Sequence, residues 1–350
     1  MAAAHRIDRD RMRSFLRALP DQVHAGFHAG ATLAAGALSR KPAPICVVGM
    51  GGSGMAGDLA NGALGSGSGL SLEVVRGSML PPTLQEPAVV VLSSHSGETW
   101  EVLRAYEEAG RRGATRIVFA AGGQLRARAE DDRVPIFHLP PRQPPRTAVG
   151  SALGGLLGLL DAWLPVSNAD RVARAVDRVR RRGLRFAESR GPAAVLARAV
   201  GRRTPIIYAE ADLLPIARRW RADIEENAKR LAIFDEMPEA FHHAIVGWDA
   251  LSRSEAARWG AIFLRWSGTG RPVDRGRVYM ERLARSRGAL ARTVPLPGDD
   301  LLECLLHGVV LGGYVSLFLS ERLQSPPLAT DAIDRFKTAL RAPDVRPRVA

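Results

Sequence analysis

Two loops rich in glycine and hydroxyl groups hold the residue types that could grip an anion. The first, GMGGSG from Gly49 to Gly54, follows an apolar run and precedes a helical pattern, with Gly52 and Ser53 near its centre. Glycines let the backbone approach a bound group closely, and the free amides at the start of the following helix favour negative charge. The loop is neither GxGxxG nor a P-loop, because no GK[ST] follows, so the nucleotide fingerprints fail. A structural turn with close helix packing is the competing reading. The second loop, SSHSGET from Ser93 to Thr99, places the hydroxyls of Ser94, Ser96 and Thr99 around Gly97. Helix capping by Ser96 or Thr99 accounts for one of them. Three exceed what a cap needs, and they suit a phosphate held by side-chain and backbone donors together.

Such loops need strand ends to carry them. Short apolar runs at 44–50, 72–75, 88–94, 116–121 and 135–140 read as buried strands, and helical patterns such as 99–113 separate them. A helical pattern at 10–38 precedes the first run, and helical stretches at 151–164 and 167–190 follow the last. A second alternating region has strand candidates at 204–210, 231–237, 261–266 and 293–297, with helices at 212–230, 299–323 and 331–341. Strands alternating with helices imply parallel sheets covered on both faces. The expected fold is therefore α/β, with two related doubly wound domains. Residues 1–165 form an N-terminal helix and the first domain, 166–190 a helical connector, and 191–350 the second domain with a C-terminal helix. Both loops then lie at strand carboxyl ends of one sheet, where open α/β folds bind ligands.

Composition narrows the class. The 350 residues are 46% hydrophobic, enough for two medium cores, and carry a net charge of +13. The arginines are scattered beside Asp and Glu, with RVRRRGLR at 178–185 the densest group, so a solvated basic face is expected and nucleic acid is not. The longest apolar stretch, Cys304 to Ser320, is interrupted by His307, Gly308, Gly312 and Gly313, and reads as a buried helix, so no membrane partner is expected. The charged N-terminus lacks the apolar core of a secretory signal. Cys46 and Cys304 have no metal or disulfide spacing and read as buried thiols in a reducing cytoplasm. Only Lys41, Lys229 and Lys337 are lysines among 49 basic residues, so arginine serves nearly everywhere a cation is wanted.

GMGGSG followed by SxSGxT resembles the sugar isomerase (SIS) fold. PPRTAVG at 144–150, IEENAKRLA at 224–232, EMPEAFHHAIVGW at 236–248 and TDAIDRFKTAL at 330–340 are similar to segments of the bifunctional phosphoglucose/phosphomannose isomerases, in order from about residue 40 to 341. The resemblance implies two SIS domains, a homodimer, a hexose 6-phosphate substrate, and no metal or other cofactor. It places the phosphate cradle on Gly52, Ser53, Ser94, Ser96 and Thr99, the base on Glu226, the ring-opening histidine on His242, and an enediolate-stabilising arginine on Arg146. Lys337 and Thr330 match the lysine of the final helix and the threonine before it. Glu98 departs from the family's usual Asn, and Phe241, His243 and Ala244 replace more polar residues, which leaves open the substrate preference and which histidine acts. Read singly, Glu226 with Lys229 is a helix surface pair, His242 a polar turn, Arg146 a surface arginine and Lys337 an exposed helix residue. A silent SIS protein sensing a phosphosugar, or an isomerase of another phosphosugar, are the alternatives; sensing alone would not need all four catalytic matches.

Overall fold

In the computed structural model, which describes residues 2–37, 44–64, 68–70, 72–84 and 88–341, the apolar runs form two parallel sheets. Lys41 lies outside the described residues. The first sheet contains β1 (Ile45–Gly49), β2 (Leu72–Val75), β3 (Val89–Ser93), β4 (Thr115–Ala120) and β5 (Ile136–His138), ordered β2-β1-β3-β4-β5. The second contains β6 (Thr204–Glu210), β7 (Ile233–Met237), β8 (Trp259–Arg265) and β9 (Leu290–Pro295), ordered β7-β6-β8-β9. It repeats the first order with one strand fewer. β1 and β3 are buried along their whole length, as strands covered on both faces must be.

Helices α1 (Ala2–Ala37), α2 (Gly51–Leu64), α3 (Trp100–Arg111), α4 (Gly123–Asp131) and α5 (Val149–Asp161) accompany the first sheet. The connecting helices are α6 (Ala169–Phe186) and α7 (Pro192–Val200). The rest are α8 (Leu214–Ala228), α9 (Ala244–Ala250), α10 (Arg253–Ala256), α11 (Arg271–Ser286), α12 (Leu301–Arg322) and α13 (Asp331–Arg341).

One close contact holds the first half together, and two more join it to the second. The α1 and α5 backbones touch through glycines: a Cβ on Gly158 would lie 1.9 Å from the Phe27 carbonyl oxygen, and one on Gly30 would lie 2.1 Å from that of Gly155. Helix α12 is long and apolar enough to cross a membrane, yet its hydrophobic stretch is 94% buried inside the protein. It packs on α6, α7 and α8 and reaches the first half through Gly313 against Leu16 of α1 and Leu305 against Gly62 of α2. Finally, α2 and α8 run side by side in opposite directions. Gly62 lies beside Pro215 and Asp58 pairs with Arg218, while Gly52, at the other end of α2, lies against the segment that holds the end of α8. The carboxyl edge of the first sheet therefore faces the amino edge of the second.

All nine expected strands are present within a few residues, but α4, α7, α9, α10 and α11 are additional to the expected helices. In α11, Arg277 occupies a buried position between Val273 and Met280, held by Asp274, Glu281 and Thr293, and so interrupts the apolar stripe that would mark the helix.

Candidate active site

The two loops rich in glycine and hydroxyl groups sit where their strands end. GMGGSG leaves β1 and becomes the first turn of the 14-residue α2, with Ser53 buried. A Cβ at Gly52 would lie 3.0 Å from the Pro145 carbonyl oxygen and 3.2 Å from Arg146 Cα, so this turn packs tightly on the Arg146 segment and a larger residue would push it back by a few tenths of an ångström. SSHSGET leaves β3, the neighbour of β1. There the Ser94 and Thr99 hydroxyls are 2.9 Å apart, Gly97 N donates to Ser94 Oγ at 3.1 Å, and Glu98 N donates to Ser96 Oγ at 3.2 Å. Thr99 occupies the N-cap position of α3 without a side-chain capping bond, which leaves its hydroxyl to Ser94. Gly97 has φ +68 and lies so close to Gly122 that a Cβ would be 1.9 Å from its oxygen. Glu98 turns to α4, accepting from Gln124 N and Nε2.

Arg146 is the hub of the hydrogen bonds beside these loops. It sits in a short 3-10 turn after β5, and its residue is only 4% exposed. Its Nε donates to Asn227 Oδ1 at 2.8 Å, Nη1 to Glu226 Oε2 at 3.0 Å, and Nη2 to the carbonyls of Pro327 at 2.6 Å and Leu328 at 3.2 Å. Burial pulls its pKa below the ordinary arginine value, and the adjacent Glu226 opposes that pull. A guanidinium still keeps its proton. One of its five N–H groups, on Nη1, has no partner among the described residues.

A buried scaffold holds this arrangement. Asn227 donates to Ser316 Oγ on α12 at 2.9 Å, and Arg219 Nη2 donates to the Arg146 carbonyl at 2.7 Å while its Nε holds Asp223 at 2.8 Å. Asp223 is buried, and burial pushes its carboxyl upward against the pull of Arg219.

Lys229 follows α8 in the left-handed conformation, φ 54, and does not pair with the Glu226 carboxylate. Its Nζ donates to the carbonyls of Glu226, Pro326 (2.8 Å) and Ala329 (2.7 Å), which ties the segment leading to α13 onto the end of α8. Burial lowers its pKa, with Arg146 next in effect. Asn227, Arg219, Asp223 and this use of Lys229 escape a reading by helix spacing. In sequence they look like surface pairs at i,i+3 or i,i+4.

Gly52, Ser53, Ser94, Ser96 and Thr99 thus share the carboxyl edge of the first sheet with Arg146, and Arg146 brings in Glu226. Thr330 directly follows the tied segment and accepts the first amide bonds of α13. Lys337 is exposed, two turns into α13, and no hydrogen bond or ion pair joins it to these groups among the described residues. His242 and His243 are also exposed, in a short 3-10 turn and just after it, with His243 Nε2 3.9 Å from Asp235. They lie past the carboxyl end of β7, whereas Glu226 lies before its amino end. Among the described residues no group of three His, Cys, Asp or Glu side chains is placed to hold a metal ion.

Residues 189–340 match the family model described as the bacterial phospho-glucose isomerase C-terminal SIS domain. The chain is 28% identical over 299 residues to a bifunctional phosphoglucose/phosphomannose isomerase of Aquifex aeolicus, covering 85% of this chain and 90% of that one. It is 27% identical over 331 residues to the protein so named in Caldicellulosiruptor bescii, covering 92% and 96%. In fold it is similar to the tagatose-6-phosphate ketose/aldose isomerase of Escherichia coli, with TM-score 0.66, 16% identity and coverage of 91% and 95%.

Proposed function

We propose that this chain, which belongs with the bifunctional phosphoglucose/phosphomannose isomerases, interconverts aldose and ketose hexose 6-phosphates in the cleft around Arg146. The observation that carries this reading is the buried guanidinium itself, whose four hydrogen bonds join the phosphate-loop side of the cleft to Glu226 and to the segment before α13.

Moving a carbonyl between C1 and C2 requires a base that removes a proton from one carbon and returns it to the other. Glu226 takes this role: Oε2 is fixed by Arg146, which aims Oε1 at the sugar. The cis-enediolate carries negative charge, and the spare Nη1 proton of Arg146 meets it. The phosphate binds to Ser94, Ser96, Thr99 and the start of α2 at Gly52 and Ser53. Its binding energy orients the opened chain at a distance from the reacting carbons. Thr330, next to the tied segment, contacts the sugar, and Lys337 of α13 assists the ring-opening histidine. The scheme uses no redox cofactor and no metal.

Ring opening requires proton transfer at O1 and the ring oxygen, and His242 takes it. The topology of a single chain supports taking that histidine from a second copy. Glu226 and His242 stand at opposite ends of β7, whose five residues span roughly 15 Å, too far to serve one sugar. A homodimer that lays the His242 turn of one protomer over the cleft of the other resolves this, and the exposed position of both histidines suits it.

Purified protein given fructose 6-phosphate, with both aldose products followed in coupled assays with and without EDTA, tests the reading. Formation of glucose 6-phosphate or mannose 6-phosphate, unaffected by EDTA, is expected. Neither aldose appearing would sink the isomerase reading; loss of turnover in EDTA, restored by metal, would sink the enediolate scheme.

A further inference from the structure

At the far end of the second sheet from Glu226, between β8, β9 and the helices α6, α7 and α12, the fold forms a half-open cavity of about 670 Å³. Its size lies within the range of small-molecule sites. Its lining is cationic and apolar together. Arg182, Arg185, Arg265 and Arg292 all line it, and no Asp or Glu does. Among the described residues only Arg265 has a carboxylate partner, Asp274, whereas Arg182, Arg185 and Arg292 have none. The floor is apolar, built from Phe186, Leu196, Leu296 and Leu311, and Val195 at the mouth is 51% exposed.

The place in the fold is also telling. β8 occupies in the second sheet the position of β3 in the first, and the loop leaving it, Ser267-Gly268-Thr269, stands where Ser96-Gly97-Glu98-Thr99 stands in the first domain. Thr269 is used internally, bonded to Glu210, but Ser267 lines the cavity. The second sheet therefore has its own ligand position at strand carboxyl ends. It has exchanged a ring of hydroxyls for unpaired arginines and an apolar floor.

We propose that this cavity binds an amphipathic organic anion, a compound with an apolar body and one carboxylate, sulfonate or phosphate group. Three permanent cations beside a wall of low polarity concentrate positive potential at the mouth. The floor takes the apolar body out of water, and Ser267 supplies a donor to the anionic head. A hexose phosphate fits poorly, because its hydroxyls would find no partners on the floor.

Anilinonaphthalene sulfonate fluorescence on the intact assembly tests this. Saturable binding to the native protein is expected, competed by decanoate but neither by inorganic phosphate nor by saturating fructose 6-phosphate. The pair Arg185→Glu with Arg292→Glu should weaken binding by about tenfold or more through charge reversal, and Val195→Glu should do likewise, each leaving isomerase activity intact. No binding, binding indifferent to these substitutions, displacement by inorganic phosphate alone, or displacement by fructose 6-phosphate would each overturn the proposal.

Discussion

Glu226 has two oxygens in different situations: Oε2 accepts from Arg146 at 3.0 Å, and Oε1 has no hydrogen-bond partner among the described residues. A glutamine can keep the first contact through its amide oxygen and cannot take a proton at the second position. Glu226→Gln is therefore expected to fold normally and bind substrate, yet to lose about 10² to 10⁴ in kcat, with solvent exchange of the C2 proton abolished. Near-normal turnover would move the base to Glu225 or another carboxylate. The thiols give a second test at this scale. Burial pushes Cys46 and Cys304 up from 9.0 to about 12, with Glu73 adding to the first and Glu210 to the second. A shift of that size lowers the thiolate fraction about a thousandfold. Because the unfolded chain ionises first, the stability these thiols contribute is full below 9.0 and is lost as pH rises through about 12. Native protein should thus resist a thiol reagent that labels both cysteines promptly in denaturant. Rapid labelling of the native state would contradict their burial.

Among the elements, the contact of α1 with α5 gives an inverted expectation. Glycine to alanine inside a helix ordinarily stabilises by up to about 1 kcal/mol. At Gly158 the added methyl meets the Phe27 carbonyl, so Gly158→Ala should destabilise by about 1–3 kcal/mol in urea titration. Gly36→Ala, with open space around it, should be neutral or slightly stabilising. Equal effects at both positions would refute the close helix contact. The same contrast shows what could be read in advance. Strands were legible because a fully buried strand leaves a short run of β-branched residues, and the two loops because glycine and hydroxyl groups cluster at strand ends. Helix α11 was hidden by Arg277, a charged residue at a buried position of the stripe, held there by Asp274 and Glu281 of the same helix and by Thr293 of β9. Lys229 was hidden for a related reason: a left-handed cap bonded to carbonyls about a hundred residues away leaves no local pattern.

For the whole molecule, the separation of Glu226 from His242 makes subunit mixing decisive. Glu226→Gln and His242→Gln should each be nearly inactive alone. Unfolded together and refolded, half of the dimers would be mixed, each with one site holding both native side chains, and activity should return to about a quarter of wild type. No recovery would place both groups in one protomer. Helix α12 bears on how such a molecule is made. The first sheet is complete in sequence by His138, but the helix that packs against α1 and α2 ends only at Arg322. During synthesis, the early half must wait with an apolar flank uncovered until nearly the last residues leave the ribosome. A nascent chain stalled at residue 165 should accordingly be protease-sensitive and bound by chaperones, and one extended past α12 should become resistant across both halves in a single step. Early protection of the stalled chain would show that the first half closes without it.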